Sequence, residues 1–169
     1  MIIAISGTPG TGKHTVAKKL AKQMKYGLLD MNPILNPSKK EKEVTLREVN
    51  SIFQRHKKDK LIVISHLSHF IKSNKINFVI VLRTNPLVLV KRLTKRGYTK
   101  DKIYDNTMFE AMNGTYAEAS RIKKKVFQVD NTKNLNTTVK KIKLIIDGKG
   151  KSDIVDFSDM ILKIEKKFK

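Results

Sequence analysis

Residues 1–15, MIIAISGTPGTGKHT, decide the fold of this chain. An apolar run at residues 1–6 is followed by the pattern G-x-x-x-x-G-K at residues 7–13, and helical periodicity begins directly afterwards. Between a strand and a helix, the glycines of this pattern let backbone N–H groups approach phosphate oxygens, and the helix N-terminus adds partial positive charge. We therefore predict that the loop binds a nucleoside triphosphate, with Lys13 reaching the β and γ phosphates.

The residue after the lysine departs from the usual pattern. A Ser or Thr that meets Mg²⁺ normally stands there, whereas this chain has His14 and places Thr15 one residue later. Thr15 is then the candidate contact to the metal, through a water molecule. His14 is either a contact to the triphosphate or a surface side chain with no catalytic role.

Length and composition bound the class of protein. With 169 residues, 40% of them hydrophobic, the chain can bury one sizeable core, and we expect a single domain over residues 1–169. The absence of cysteine excludes disulfides and thiolate metal sites. No apolar run reaches the length of a membrane span, and no charged-then-apolar leader precedes the first strand. We therefore expect a cytoplasmic protein without a membrane partner.

The net charge is strongly positive, because 36 Lys and Arg against 15 Asp and Glu give +21. Such a charge favours anionic partners such as nucleotides, RNA or an acidic protein. Most of the cations are lysines, however, and lysine lacks the planar fork with which arginine binds phosphate bidentately. Biased genome composition is therefore an alternative explanation, and charge alone leaves the presence of an RNA-binding surface open.

Apolar runs that alternate with helical segments predict a parallel sheet with crossover helices. The predicted strands are residues 1–6, 61–65, 78–82 and 125–129, and the predicted helices beside them are residues 15–25, 86–96 and 135–146.

Three further segments lie outside this alternation. A polar stretch at residues 31–43 and a predicted helix at residues 44–56 indicate an insertion beside the sheet. Residues 99–124 are of helical character with an interruption at Gly114. The tail from Gly150 is amphipathic, and its apolar residues could cover a sheet edge. These residues are Ile154, Val155, Phe157, Met160, Ile161 and Ile164.

Several short motifs accompany the loop further along the chain. They are His66-Leu67-Ser68-His69, Val81-Leu82-Arg83, Arg92-Leu93, Arg96-Gly97-Tyr98, Asp105-Asn106 and Val129-Asp130-Asn131-Thr132. Together with residues 7–15, these motifs resemble the adenylate kinase isoenzyme 6 family. The resemblance covers nearly the whole length, including the C-terminal extension of archaeal-type members around residues 154–157.

The resemblance implies an α/β fold of the P-loop nucleoside monophosphate kinase type, with a five-stranded parallel sheet flanked by helices. It also implies three special segments. These are a short monophosphate-binding insertion at about residues 30–53, a lid at about residues 95–106 and a C-terminal extension at residues 150–169.

The activity implied by the resemblance is that of a broad-specificity nucleoside monophosphate kinase. Such enzymes chiefly move the γ-phosphate of ATP to AMP, and they have an accompanying ATPase activity. Members also act in ribosome maturation, where they bind a small-subunit ribosomal protein and help cleavage of the small-subunit RNA precursor. For this chain, the implied cofactors are ATP and Mg²⁺. The implied partners are AMP or another monophosphate, a small-subunit ribosomal protein and the ribosomal RNA precursor.

Candidate site residues follow from the same resemblance. The triphosphate would be held by Gly10, Gly12, Lys13, His14 and Thr15, and Lys133 would lie near the adenine. Arg96 would sit on the lid and neutralise the transferring phosphate. Arg92, on the same helix face, would either clamp a second phosphate or lie on an ordinary solvated face. His66 would either position a phosphate or the attacking water, or be a histidine satisfied by its neighbours.

Two departures from the family pattern concern the metal and the acceptor. The family has an aspartate that orders Mg²⁺ two residues before His66, and Ile64 stands there. Magnesium would then rely on ATP oxygens, Thr15, water or another carboxylate. The acceptor segment has no arginine before Arg47. Recognition of AMP would therefore fall to Arg47 or to a lysine among Lys39, Lys40 and Lys42.

Two alternative functions stay open. The first is a nucleotide-gated ribosome assembly factor that binds a small-subunit ribosomal protein and turns over little substrate. The second is a small-molecule kinase that shares the fold, although the motifs at His66 and at residues 96–98 argue against it.

Overall fold

The computed structural model describes residues 1–36, 43–123 and 125–168. The strands are β1 (Ile2–Ser6), β2 (Gly27–Asp30), β3 (Leu61–Ile64), β4 (Ile76–Arg83) and β5 (Val126–Asp130). The helices are α1 (Lys13–Met24), α2 (Asn32–Leu35), α3 (Leu46–His56), α4 (Pro86–Lys95), α5 (Lys100–Ala111), α6 (Gly114–Ile122), α7 (Leu135–Ile146) and α8 (Ile161–Phe168). Short 3-10 turns occupy Ser68–Phe70 and Ser158–Met160.

The five strands form one sheet in the order β2-β3-β1-β4-β5, and all of its pairs are parallel. The predicted α/β class with a five-stranded parallel sheet is therefore confirmed. Most element boundaries differ from the sequence pattern by two residues or fewer, but β2 was not among the segments singled out as strands. Its four residues include only two apolar side chains and follow a helix end, so they offered no periodic signal.

Both faces of the sheet are covered, which explains why the central strands are continuous apolar runs. On one face, helices α1 and α7 pack against alternate strand residues that include Ile3, Ile62 and Ile80. On the other face, α3 packs against Ile2 and Val63, and α6 packs beside it. The two-residue alternation of Ile2 and Ile3 between these faces is the period expected of a strand.

The carboxyl ends of the strands lie together at one edge of the sheet. Asp30 and Ile64 are register partners in β2 and β3, and Ile5 of β1 pairs with Ile64. On the other side, Arg83 of β4 pairs with Asp130 of β5. In parallel α/β sheets, ligands bind in the crevice outside this edge, so the fold directs attention to the loops that follow β1, β3 and β4.

The C-terminal tail meets both the sheet and a helix. The backbone of the tail covers the outer edge of β5, because the Asp153 N–H donates to the Gln128 carbonyl at 2.9 Å. Ile154, expected on the apolar face, is 99% exposed. Helix α8 instead packs against α5, with Ile164 buried and Phe168 against Tyr104. In the part of the chain that the structure describes, no helix has the length and apolar character needed to cross a membrane.

Candidate nucleotide site

The loop after β1 is curled by glycines in conformations that other residues rarely adopt. Gly7 has φ +141°, and a Cβ there would lie 2.5 Å from the Leu82 carbonyl oxygen. Gly12, with φ +92°, caps the N-terminus of α1, and its Cβ would lie 2.5 Å from the Asn131 amide nitrogen. These distances leave no room for a side chain at Gly7 or Gly12, so β4 and the turn after β5 pack directly against the backbone of the loop.

The ammonium of Lys13 lies over this loop and is bound to its backbone. Its Nζ donates to the carbonyls of Gly7 at 2.6 Å and Thr8 at 3.0 Å. Burial lowers the pKa of Lys13 to about 8, and the charge of Glu110 opposes that shift. A desolvated ammonium attracts a phosphate oxygen more strongly than the ammonium of an exposed lysine does, because water screens the attraction less.

The larger cleft, of about 620 Å³, lies on the β3 side of the loop. Five predicted site residues line it directly: Gly10, Gly12, Lys13, His14 and Thr15. Predicted residues from two other segments, His66 and Arg96, line the same cleft. Asn32, Leu35 and Val44 contribute the wall from the segment that follows β2. The volume lies within the range of small-molecule sites in proteins.

A second cleft of about 550 Å³ lies on the β5 side of the same loop. Gly10, Gly12, Thr15 and Arg96 line this cleft as well as the first. The rest of its wall consists of Arg92, Lys95, Asn131, Lys133 and Leu135. The phosphate loop is thus the shared floor of two clefts, each of a volume that suits a small molecule.

Arg92 and Arg96 differ in their surroundings although both belong to the end of α4. The guanidinium of Arg92 donates to the Gly10 carbonyl at 3.1 Å, and burial together with Arg96 lowers its pKa. Arg96 is the C-cap residue of α4 and is exposed. Gly97 follows with φ +74° and open space around it. Arg92 therefore supports the loop backbone, whereas Arg96 stands where it can reach a ligand.

The two histidines of the motif after β3 have different environments. His66 lines the cleft wall and keeps part of its surface accessible, but the groups packed around its ring desolvate it, and this desolvation together with the charge of Lys13 lowers its pKa to about 4. His69 is buried, with Nδ1 2.7 Å from the Ser6 hydroxyl and Nε2 3.2 Å from a Glu118 oxygen. Burial lowers the pKa of His69 to about 4, with His66 as the smaller cause. The satisfied core histidine is therefore His69, and His66 is the one available to the cleft.

A buried carboxylate behind the loop was missed by sequence reasoning. Glu110 of α5 accepts from the Thr8 hydroxyl at 2.5 Å and the Thr84 N–H at 3.0 Å. The Nε of Arg83 also donates to it at 2.8 Å, and the side chains of both ion-pair partners are 1% exposed. Arg83 was noted only as part of a motif. The signal for Glu110 was its place with Ile103, Thr107 and Ala111 on the buried stripe of α5.

The expected metal position is apolar in this chain. Ile64 is buried at the end of β3 and can donate no oxygen. Thr15 lines both clefts, and Asp30, beside Ile64 in the sheet, lies 3.1 Å from His14 Nδ1 through its Oδ2. Within the described residues, no group of three or more His, Asp or Glu side chains could hold a metal by themselves. A magnesium ion carried by nucleotide phosphates needs only one or two protein carboxylates, so the residues present fit such an ion.

Comparison with known proteins places the chain in a family of archaeal proteins. The model of the AAA domain family matches residues 3–113. The chain is 36% identical over 167 residues to the Thermococcus kodakarensis protein named "Putative adenylate kinase", covering 95% of this chain and 94% of that protein. A Pyrococcus abyssi protein of the same name is 34% identical, with 95% and 93% covered. The chain belongs to the family of these archaeal proteins.

Solved structures agree with this family at the level of fold. The deoxyadenosine kinase of M. mycoides superimposes with a TM-score of 0.59 at 17% identity, covering 88% of this chain and 100% of that chain. That likeness confirms the architecture of a P-loop kinase. A likeness at this level of identity shows the fold and not the substrate, which depends on the residues that line the two clefts.

None of the cations predicted to bind the monophosphate is among the described residues that line the two clefts. Arg47 is exposed on α3 and is not among the described residues that line either cleft. Lys39, Lys40 and Lys42, the other candidates for the monophosphate, lie outside the described residues. The described cations at the larger cleft are therefore those of the loop and of the α4 end, Lys13 and Arg96.

Proposed function

We propose that the protein is a nucleoside monophosphate kinase of the adenylate kinase isoenzyme 6 family. In this proposal it transfers the γ-phosphate of magnesium-bound ATP to AMP or a related monophosphate, and it hydrolyses ATP as a side activity. One observation carries the proposal: two clefts of nucleotide size share the phosphate loop, and Arg96 lines both. The names of the archaeal relatives support AMP as the acceptor.

The transfer itself asks little covalent chemistry of the protein, because positioning and charge stabilisation supply most of the catalysis. ATP would occupy the β5-side cleft, with its adenine toward Lys133 and its triphosphate on Gly10, Gly12 and Thr15. The end of the triphosphate would reach His14, which lines the larger cleft. The monophosphate would enter the larger cleft from the β3 side. Lys13 and Arg96 would then face the equatorial oxygens of the phosphoryl group in flight.

The remaining predicted residues have supporting roles in this scheme. Arg92 would hold the loop in its curled form through the Gly10 carbonyl. His66, whose lowered pKa keeps it neutral near pH 7, would donate or accept one hydrogen bond at an acceptor oxygen. Bound Mg²⁺ would neutralise β and γ oxygens. The predicted lid, about residues 95–106, comprises the end of α4, the turn with Gly97 and the first half of α5, and closing it would exclude water from the transfer.

The direct test is ADP formation by the purified protein with ATP, Mg²⁺ and each monophosphate in turn. The expected result is ADP production that depends on the acceptor and is fastest with AMP. ATP binding measured alongside by calorimetry makes the result decisive. If ATP binds and no monophosphate raises ADP formation, the kinase proposal is wrong.

A second candidate function is a nucleotide-gated ribosome assembly factor with little turnover. The apolar Ile64 at the expected metal position and the charge of +21 favour it. Its partners would be a small-subunit ribosomal protein and the ribosomal RNA precursor, and both candidate functions would be exercised in the cytoplasm. Capture of that ribosomal protein with and without ATP tests it, because a switch must hold its partner differently in the two states.

A further inference from the structure

The family pattern has a metal-binding aspartate at the end of β3, where this chain has Ile64. A carboxylate, Asp30, stands at the end of the neighbouring strand β2. Asp30 and Ile64 are register partners at the ends of β2 and β3. Residues on each side of Asp30 in space, His14, Asn32 and Ile64, all line the larger cleft. Although residue 64 is isoleucine, this edge of the sheet therefore still has an acidic group, Asp30.

The carboxylate of Asp30 is held in one orientation. Its Oδ1 accepts from the backbone N–H and the side-chain amide of Asn32, both at 3.0 Å. Its Oδ2 lies 3.1 Å from Nδ1 of His14, the second residue of α1, which begins directly after the phosphate loop. The Asp30 side chain is 24% exposed, so water can reach it. A preoriented, hydrated carboxylate beside a phosphate loop has the properties that Mg²⁺ selects, since this ion keeps several of its waters.

The other described carboxylates near this edge are already engaged elsewhere. Glu110 is buried and shared by Thr8, Thr84 and Arg83. Asp130 lies at the far end of the sheet beyond β4, where its Oδ1 accepts from the N–H and the hydroxyl of Thr132. Asp30 is the carboxylate that directly contacts a residue of the loop helix.

We propose that Asp30 supplies the magnesium carboxylate of this chain in place of residue 64. Its Oδ2 would hold the ion, directly or through one metal-bound water, and the Thr15 hydroxyl, which lines both clefts, would supply a further oxygen. His14 holds Oδ2 toward the loop until the metal and nucleotide arrive. This inference rests on the proposed use of a magnesium-bound nucleotide.

The test measures the coupling between metal and nucleotide rather than activity. Calorimetry gives the affinity for ADP with Mg²⁺ and with the metal chelated, and the ratio of the two affinities is the coupling. The variant Asp30→Asn keeps the acceptor for Asn32 but loses the charge, and it should reduce this ratio by about 10–100-fold, the typical effect of removing a group that supports a bound metal. Asp59→Asn is the matched control, because Asp59 is exposed and precedes β3 at the opposite edge of the sheet.

A second variant uses the absence of cysteine in this chain. Asp30→Cys introduces a single thiol, and a thiolate prefers Cd²⁺ to Mg²⁺. The expected result is that the Mg²⁺ coupling falls while Cd²⁺ restores tight ADP binding, with a cadmium–thiolate absorption band that appears only when nucleotide is present. Equal coupling by Cd²⁺ in this variant and in the wild type would overturn the proposal.

The outcomes separate this inference from the proposed function. If the wild type binds no ADP, the nucleotide proposal and the metal proposal both fail. If it binds ADP but Mg²⁺ does not strengthen the binding, or Asp30→Asn leaves the ratio unchanged, the role of Asp30 is wrong and the nucleotide site stands. A reduced ratio that is recovered in the double variant Asp30→Asn with Ile64→Asp would show that the two positions are interchangeable.

Discussion

The two halves of the candidate site are built differently. On the β1–β4–β5 side, the loop is fixed from behind by Glu110, Arg83 and Thr84, all of them buried. On the β2–β3 side, the cleft wall consists of exposed or half-exposed side chains such as Asn32, His66 and Val44. Buried hydrogen-bonded charges are costly to rearrange, whereas exposed side chains move at little cost. The comparison indicates a rigid half on the side proposed to hold the triphosphate and an adaptable half on the side proposed to hold the acceptor.

The rigid half can be broken most severely at Glu110. Replacing it by alanine leaves the Arg83 guanidinium buried without its counter-charge, and such losses cost about 3–5 kcal/mol of folding stability. Urea unfolding of Glu110→Ala should therefore show a large drop in the free energy of unfolding. Asp105→Ala on the exposed face of the same helix is the control, and it should change stability by less than about 0.5 kcal/mol. Equal stability of the two variants would contradict a rigid half.

The next largest effect is expected at Lys13. Lys13→Ala should lower the rate of ADP formation by about 10²–10³-fold, because one preorganised donor to a developing phosphate charge is removed. The exposed Lys18 of the same helix provides the matched variant Lys18→Ala, which removes the same charge away from the clefts. If both variants lost activity equally, general electrostatic attraction by a basic surface would explain the result, and a specific role for Lys13 would be wrong.

Sequence reasoning predicted the strand, loop and helix at the start of the chain for a physical reason. The glycine spacing at residues 7–13 needs left-handed backbone and close packing, so the motif specifies strand, loop and helix together. Continuous apolar runs specified the parallel sheet in the same way. Strand β2 was not predicted because two consecutive apolar residues give no detectable strand periodicity. Glu110 was not predicted because a glutamate in a helix is expected to face solvent unless its buried partners are known. Asp30 also became visible only through its register with Ile64.

Acidic pH offers a further way to weaken the rigid half, through His69. Its pKa is lowered from 6.5 to about 4, so the unfolded chain takes up a proton before the folded protein does. The contribution of neutral His69 to the free energy of unfolding should therefore be fully present above about pH 6.5, and it should be lost progressively as pH falls toward about 4. Denaturation midpoints at several pH values measure this slope. His69→Asn should flatten it, whereas the exposed His56→Asn should not.

The adaptable half yields the smallest expected effect. Arg47 is exposed on α3 and does not line the larger cleft, so Arg47→Ala should change the KM for AMP by no more than about threefold, the scale of an ordinary surface substitution. Steady-state kinetics with AMP varied at saturating ATP measure it, and Arg55→Ala on the same helix is the control. A tenfold rise in KM confined to Arg47→Ala would mean that α3 swings inward when the acceptor binds. The acceptor half would then be shaped by its ligand, and its recognition residues could be identified only from the occupied cleft.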